Sequence, residues 1–181
     1  PNHTGGLDAA ARLFLAWAQA AGVSVWQILP VGPPGQGRSP YAALSAFAGD
    51  ASWFLGAADP APREFAAFCD QHAAWLDDWA HYAALKEAHG GLPWFAWDEA
   101  LRRRDPAAVA HSAATLRDAV SRHRAAQCVF HMRWRLLRER AQECGIAILG
   151  DVPIYPALDS ADVWAHQDLF WLDDEGAPTR V

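Results

Sequence analysis

The chain is short of cations. A single lysine, Lys86, stands beside 14 arginines, and 15 basic residues face 21 acidic ones for a net charge of −6. A nucleic-acid surface is normally basic, because phosphate neutralisation supplies most of its affinity, so no nucleic-acid partner is expected. Cysteine is equally scarce. Cys69, Cys128 and Cys144 are too few and too far apart for a zinc ribbon or a CxxC pair, and an odd number does not build a disulfide framework. Reduced, buried thiols of a cytoplasmic protein are the expectation. No run approaches the roughly 18 uninterrupted apolar residues of a membrane-spanning helix. The opening PNHTGG lacks the basic-then-apolar order of a signal peptide, so no membrane partner is expected either. There is no P-loop, no GxGxxG behind a strand and no Gly-x-Ser-x-Gly elbow. The eight histidines are scattered without HExxH spacing, and His72, His81, His123 and His131 fall in helical stretches as core or solvated residues, not as a metal site.

What is present is the material of a packed domain, with 52% hydrophobic and 20% charged residues in 181 positions. That length suits one domain or a piece of a larger one. Ten tryptophans stand out. Their faces can stack on sugar rings, but most tryptophans in a fold of this size are simply core.

Apolar residues recur at helical spacing in Leu7, Ala11, Phe14, Ala18 and Ala21, and Gly22 follows as a stop. Next comes VSVWQILPV, Val23 to Val31, a near-continuous apolar run that predicts a strand buried on both faces. The glycines and prolines of Gly32 to Tyr41 predict a long loop at its C-terminal end. A helix from near Pro62 presents Phe65, Phe68, His72, Trp75, Trp79, Tyr82 and Leu85 on one face and ends at Gly90-Gly91. A second helical region is predicted from an N-cap at Asp105 to Gly145, with some interruption. Ile146 to Tyr155 then repeats the first device, an apolar strand ending in Gly150-Asp151. The expected fold class is α/β, either an open sheet or a (β/α) barrel, with residues of about 62–144 inserted as helices between early strands.

In such folds the loops at the C-terminal ends of parallel strands form the active-site mouth, because the strands hold them rigidly around one opening. That selects Ser39, Pro40 and Tyr41 after the first strand and Asp151, Asp159 and Asp162 after the second. Asp151 suits either a sugar hydroxyl or the backbone amides of its own turn. Tyr41 suits either a sugar ring or the anchoring of its loop. Asp159 or Ser160 reads as a helix N-cap, with Asp162 near the positive end of the helix dipole. The arginines of 102–104 and of 133–140 are interleaved with Glu139 and Glu143, which describes a solvated helix face.

Longer strings are more specific. WQILPVGPPGQGRSPYAALSAFAGD, Trp26 to Asp50, resembles the early barrel segment of the 4-α-glucanotransferases called amylomaltases, whose usual pattern is WQ, two apolar residues, PLGPTG, GDSPY and SAFAGN. ALKEAHGGLPW, Ala84 to Trp94, and GDVPIYPALDSADVWAHQDLFWLDDEGAPTRV, Gly150 to Val181, resemble their next signatures. The resemblance implies part of a (β/α)₈ TIM barrel with a helical insertion, a retaining transfer of α-1,4-glucan segments between maltooligosaccharides, and no cofactor or metal. In that chemistry one carboxylate attacks the anomeric carbon, a second protonates the leaving oxygen, and a sugar hydroxyl resolves the covalent intermediate.

The family's catalytic carboxylates lie in strings resembling RIDHFRG, AEDLG and THDN. None occurs in these 181 residues, so the resemblance assigns no catalytic residue here. It assigns the substrate side: Ser39 and Tyr41 lining glucan subsites, and Asp151 as a binding or supporting carboxylate near the mouth. Arg38 stands where the family usually has aspartate, Gln36 for an aromatic residue, Asp50 for asparagine and Pro156 for valine. The connection from Asp50 to Pro62 is shorter than the family's, and the family's strand ahead of Leu7 is missing. With Pro1 and Val181 as abrupt ends, the expectation is the N-terminal part of one catalytic barrel, inactive and unstable in isolation. A non-catalytic glucan-binding module derived from the same barrel is the alternative.

Overall fold

The computed structural model describes residues 7–54 and 56–180. Both chain ends, Pro1 and Val181, lie outside the described residues. Helix α1, Leu7–Ala20, buries Ala11, Leu15 and Ala18 against a later helix. Gly22, at φ 74°, then turns the chain into strand β1, Val25–Gln27, while the Val23 amide donates back to the Ala18 carbonyl at 2.9 Å. This is the left-handed stop that glycine makes cheaply.

Strand β1 pairs in parallel with β2, Ala147–Leu149, placing Val25 opposite Ala147, Trp26 opposite Ile148 and Gln27 opposite Leu149. The amides of Ala147 and Ile28 extend the ladder by one bond at each end. Both strands are shorter than Val23–Val31 and Ile146–Tyr155, and they are not buried on both faces. Trp26 and Ile148 pack on the helices, but Val25 and Leu149 are each 53% exposed. Pro30 has no amide to continue the ladder, and no described residue covers the second face.

Between the strands lie α2, Pro62–Ala88; α3, Glu99–Arg102; α4, Pro106–Thr115; and α5, Arg117–Glu143. Asp105 caps α4 as predicted, accepting from the amides of Ala107 and Ala108 at 3.0 Å each. The interruption falls at Leu116. The buried face of α2 is narrower than its sequence pattern, starting at Leu76, with Phe68 and Trp75 only partly buried. It continues through Trp79, Tyr82 and Leu85 into a core with Trp94, Trp97 and Trp164. Trp164 lies in the last helix, α6, Ala161–Ala165. A second core joins α1, the end of α5 and the inner face of the strands. Four of the tryptophans are buried in the first core, where an indole serves packing. The three cysteines are free thiols, Cys128 and Cys144 buried and Cys69 partly so.

Candidate functional site

The two loops that leave the C-terminal ends of β1 and β2 meet. The Tyr41 hydroxyl donates to Asp151 Oδ2 at 2.8 Å, across 110 positions of sequence. Ser39 Oγ accepts from the Tyr41 amide at 3.3 Å, shaping the approach to the tyrosine. Ser39, Tyr41 and Asp151, the three residues that the resemblance assigned to the substrate side, therefore form one group. Tyr41 stays half exposed, and its bond to Asp151 holds the phenol above its ordinary pKa, because losing the proton would place two anions together. A cleft of about 220 Å³ runs beside Tyr41, lined also by Ser45, Val152 and Tyr155. A second, of about 250 Å³, holds Asp151, Phe47, His131 and Trp134.

Ser45 lines both clefts and organises the SAFAG turn between them. Its Oγ accepts from the amides of Phe47 at 3.1 Å and Ala48 at 3.2 Å. Ala46 donates its amide to Asp162 Oδ2 at 2.8 Å. On the far side Gln127, buried in α5, takes both backbone groups of Gly49, accepting from its amide and donating to its carbonyl at 2.9 Å each. Gly49 has no substitute: a Cβ there would lie 2.0 Å from the Phe130 ring.

Asp159 does not cap α6. Ser160 does, accepting from the Val163 amide at 3.2 Å. Asp159 instead receives Lys86 Nζ and the Tyr82 hydroxyl at 2.6 Å each, and the Trp94 amide at 3.3 Å. It ties the segment after β2 to α2 and to the GLPW turn. Burial and the Asp159 bond hold the Tyr82 phenol far above its usual range. Asp162 behaves unlike a simple dipole partner too. Burial lifts its pKa above the ordinary value although the Ala46 amide and its own backbone amide favour the anion. Lys86, Tyr82 and Gln127 were not singled out from sequence as tethers. The sequence signals for Lys86 were its being the sole lysine and its place in the ALKEAHGGLPW string, and neither pointed to Asp159. Among the described residues no group of three or more His, Cys, Asp or Glu side chains is arranged to hold a metal ion.

Comparison with known proteins decides the family. The 4-alpha-glucanotransferase family model matches residues 2–57 and 51–179. The chain belongs to the 4-alpha-glucanotransferase family. Along its whole length it is 38% identical to the 4-alpha-glucanotransferase of Thermus thermophilus, covering 45% of that protein. It is 34% identical to that of Aquifex aeolicus, covering 46%. An amylomaltase from Streptococcus agalactiae, solved in complex with acarbose, superposes over 96% of this chain and 45% of its own with a TM-score of 0.85 at 26% identity. This supports an α/β glycosidase-type fold. The chain thus spans a little under half the length of the glucanotransferases it matches.

The Thermus alignment is 225 positions long against 181 residues, and the two stretches of the family match meet at residues 51–57. The short connection from Asp50 to α2 stands where the glucanotransferase pattern is interrupted. It is closed locally: the Ser52 amide donates to Asp50 Oδ1 at 3.0 Å, and Phe54 is buried edge-on to Phe130 at 5.6 Å.

Proposed function

We propose that this chain forms the first part of the (β/α)₈ barrel of a 4-alpha-glucanotransferase, with the helices of 62–144 inserted between successive strands. The reaction is a retaining transfer of α-1,4-glucan segments between maltooligosaccharides. The observation that carries this reading is the Tyr41–Asp151 hydrogen bond, which joins the loops at the C-terminal ends of two adjacent parallel strands beside two clefts. Barrel mouths are built from such loops. The exposed face formed by Val25 and Leu149, continued by Val152 and Ile154 in the following loop, supports covering by further strands.

In this reading Tyr41, Ser39 and Asp151 bind and orient glucan, while the attacking and protonating carboxylates come from chain beyond these 181 residues. An ionised carboxylate has room for about four hydrogen bonds, so Asp151 can accept from sugar hydroxyls while holding Tyr41. Tyr41 in turn fixes which way the carboxylate faces.

Incubating the complete protein with maltotriose is expected to release glucose and build longer maltodextrins. Shortened products alone would make it a hydrolase, and binding without turnover would favour the non-catalytic module. Within an active protein, Asp151→Asn is expected to raise KM about tenfold or more, the scale of a lost hydrogen bond to a charged group, with a smaller change in kcat.

A further inference from the structure

One wall of the cleft that contains Asp151 is held from behind by a buried amide. This cleft, of about 250 Å³, lies between three parts of the fold: the SAFAG turn from Ser45 to Gly49, the Phe130 and Trp134 side chains of α5, and the segment from Asp151 to Pro153. Apart from Phe47, the turn carries no side chain larger than those of serine and alanine, so its backbone decides where that wall stands. Two backbone bonds of 2.8 Å fix the turn at its ends. The Asp50 amide donates to the Val31 carbonyl beyond β1, and the Leu44 carbonyl accepts from the Ala161 amide of α6.

Toward α5 the turn is held by a side chain. Gln127 is only 2% exposed, and its amide accepts from the Gly49 N–H and donates to the Gly49 carbonyl at 2.9 Å each, the double exchange that a neighbouring strand would make. A buried amide is costly unless its groups are paired, and an apolar residue would pack a helix face without that risk. Gln127, Phe130 and Trp134 share one face of α5 through spacings of three and four. The helix that lines the cleft with two aromatic rings therefore also fixes how far the turn stands from them. The turn cannot move closer, because the Phe130 ring already fills the space that a Cβ at Gly49 would take.

Resting on the glucanotransferase reading above, we propose that Gln127 is a positioning residue for the transfer: by holding Gly49 it sets the SAFAG turn against Asp151, and with it the fit of a glucosyl unit in the cleft between them. Gln127 touches no substrate itself. It acts through the turn, so its loss is felt as weaker binding at Asp151 and not as a change in the chemical step.

The test measures KM and kcat of the complete protein for transfer from maltotriose, with the thermal midpoint alongside. Gln127→Met keeps the length of the side chain and removes both bonds. Gln127→Asn keeps both groups but withdraws them by one methylene, and the Phe130 ring stops the turn from following. Each variant is expected to raise KM about three- to tenfold, with kcat within about twofold of wild type. In an Asp151→Asn background the same substitutions are expected to change KM by less than about twofold, because the contact they misplace is already lost. A purely internal contact gives another pattern, a lower thermal midpoint and less active protein with KM unchanged in what stays folded, and that result overturns the proposal. So does a rise in KM that multiplies in full on the Asp151→Asn background. Should Gln127→Met not fold, Gln127→Asn decides by the same two readings, and failure of both to fold makes Gln127 a folding residue and overturns its positioning role. A wild-type protein that does not transfer from maltotriose refutes the glucanotransferase reading itself, an outcome distinct from all of these.

Discussion

Trp164 in α6 and Ile154 after β2 are close in sequence and opposite in fate: the indole is fully buried, while the isoleucine is 94% exposed. The difference runs through the whole molecule. On the helical side, α2, α6 and the Trp94–Trp97 turn close on one another, and the Trp164 indole donates to the Leu101 carbonyl at 3.0 Å. On the strand side, Val25, Leu29, Leu149 and Val152 face outward. A helix satisfies its own backbone and needs only one apolar face covered, whereas a parallel strand needs both faces covered and both edges paired. The helical side is thus close to self-sufficient, while the strand pair leaves one apolar face open among the described residues.

The sharpest way to break this contrast is truncation on each side of the isolated chain. Trp164→Ala is expected to cost about 3–5 kcal/mol, the usual range for an aromatic residue removed from a core. Ile154→Ser is expected to stay within about 0.5 kcal/mol and to reduce self-association. Urea unfolding gives the first two values, and sedimentation gives the third. Equal costs at the two positions would show that the strand face is already covered.

Next in size is the tether between the regions. Asp159→Asn removes the charge that meets Lys86 and weakens the acceptor of the Tyr82 hydroxyl. A cost of about 2–3 kcal/mol is expected, since it leaves a half-buried ammonium without its counter-ion. Lys86→Met is expected to cost less, because the Asp159 carboxylate it leaves behind still accepts from the Tyr82 hydroxyl and the Trp94 amide. The double variant should cost less than the two single losses added together, and additive losses would show that the pair acts independently.

A pH titration separates the regions in another way. His131 of α5 is packed among Phe68, His72 and Trp75, and its Nε2 is buried without a partner among the described residues. Burial, with His72 adding to it, lowers its pKa from 6.5 to about 4. The unfolded chain takes up the proton first, so the stability His131 contributes is complete above pH 6.5 and falls as pH drops toward 4. The expected loss is roughly 1 kcal/mol between pH 6.5 and 5, below the full linkage slope of about 1.4 kcal/mol per unit because part of the ring is screened by solvent. His81, lowered mainly by burial, acts in the same direction, and Asp162, raised by burial, acts against it. The measurement is therefore the difference between wild type and His131→Phe. An unchanged pH slope in the variant would sink the assignment.

Local features of the chain were legible in sequence wherever the signal was local. Helical spacing located α1 and α2, Asp105 before Pro106 marked the start of α4, and the SPY and GDVPIY strings selected the residues that meet as Tyr41 and Asp151. What escaped depends on distant partners. Lys86 and Asp159 are 73 positions apart and Gly49 and Gln127 are 78 apart, and neither residue of either pair sits in a pattern that names the other. The exposed faces of β1 and β2 were legible only through the resemblance: an apolar run states that a strand needs covering on both faces, while the expectation of a partial barrel is what leaves an apolar face uncovered in this stretch of chain.

The smallest expected effect contrasts two arginines in the left-handed region, one on each side of the molecule. Arg38, at φ 55°, is exposed in the loop before Ser39. Arg104, at φ 54°, closes the turn before α4, bonds to Asp78 at 3.0 Å and lies 4.3 Å over the Trp164 ring. A left-handed conformation costs an L-residue about 1–2 kcal/mol, and glycine returns part of that gain through its freer unfolded chain. Arg38→Gly is therefore expected to raise stability by about 0.5 kcal/mol. Arg104→Gly gains the same relief but loses an ion pair and a cation–π contact, each worth up to about 1 kcal/mol, so it is expected to lower stability by about 1 kcal/mol. Urea midpoints that shift in the same direction for both variants would mean that backbone strain alone governs these two turns, and that the contrast between a closed side and an open one does not extend to them.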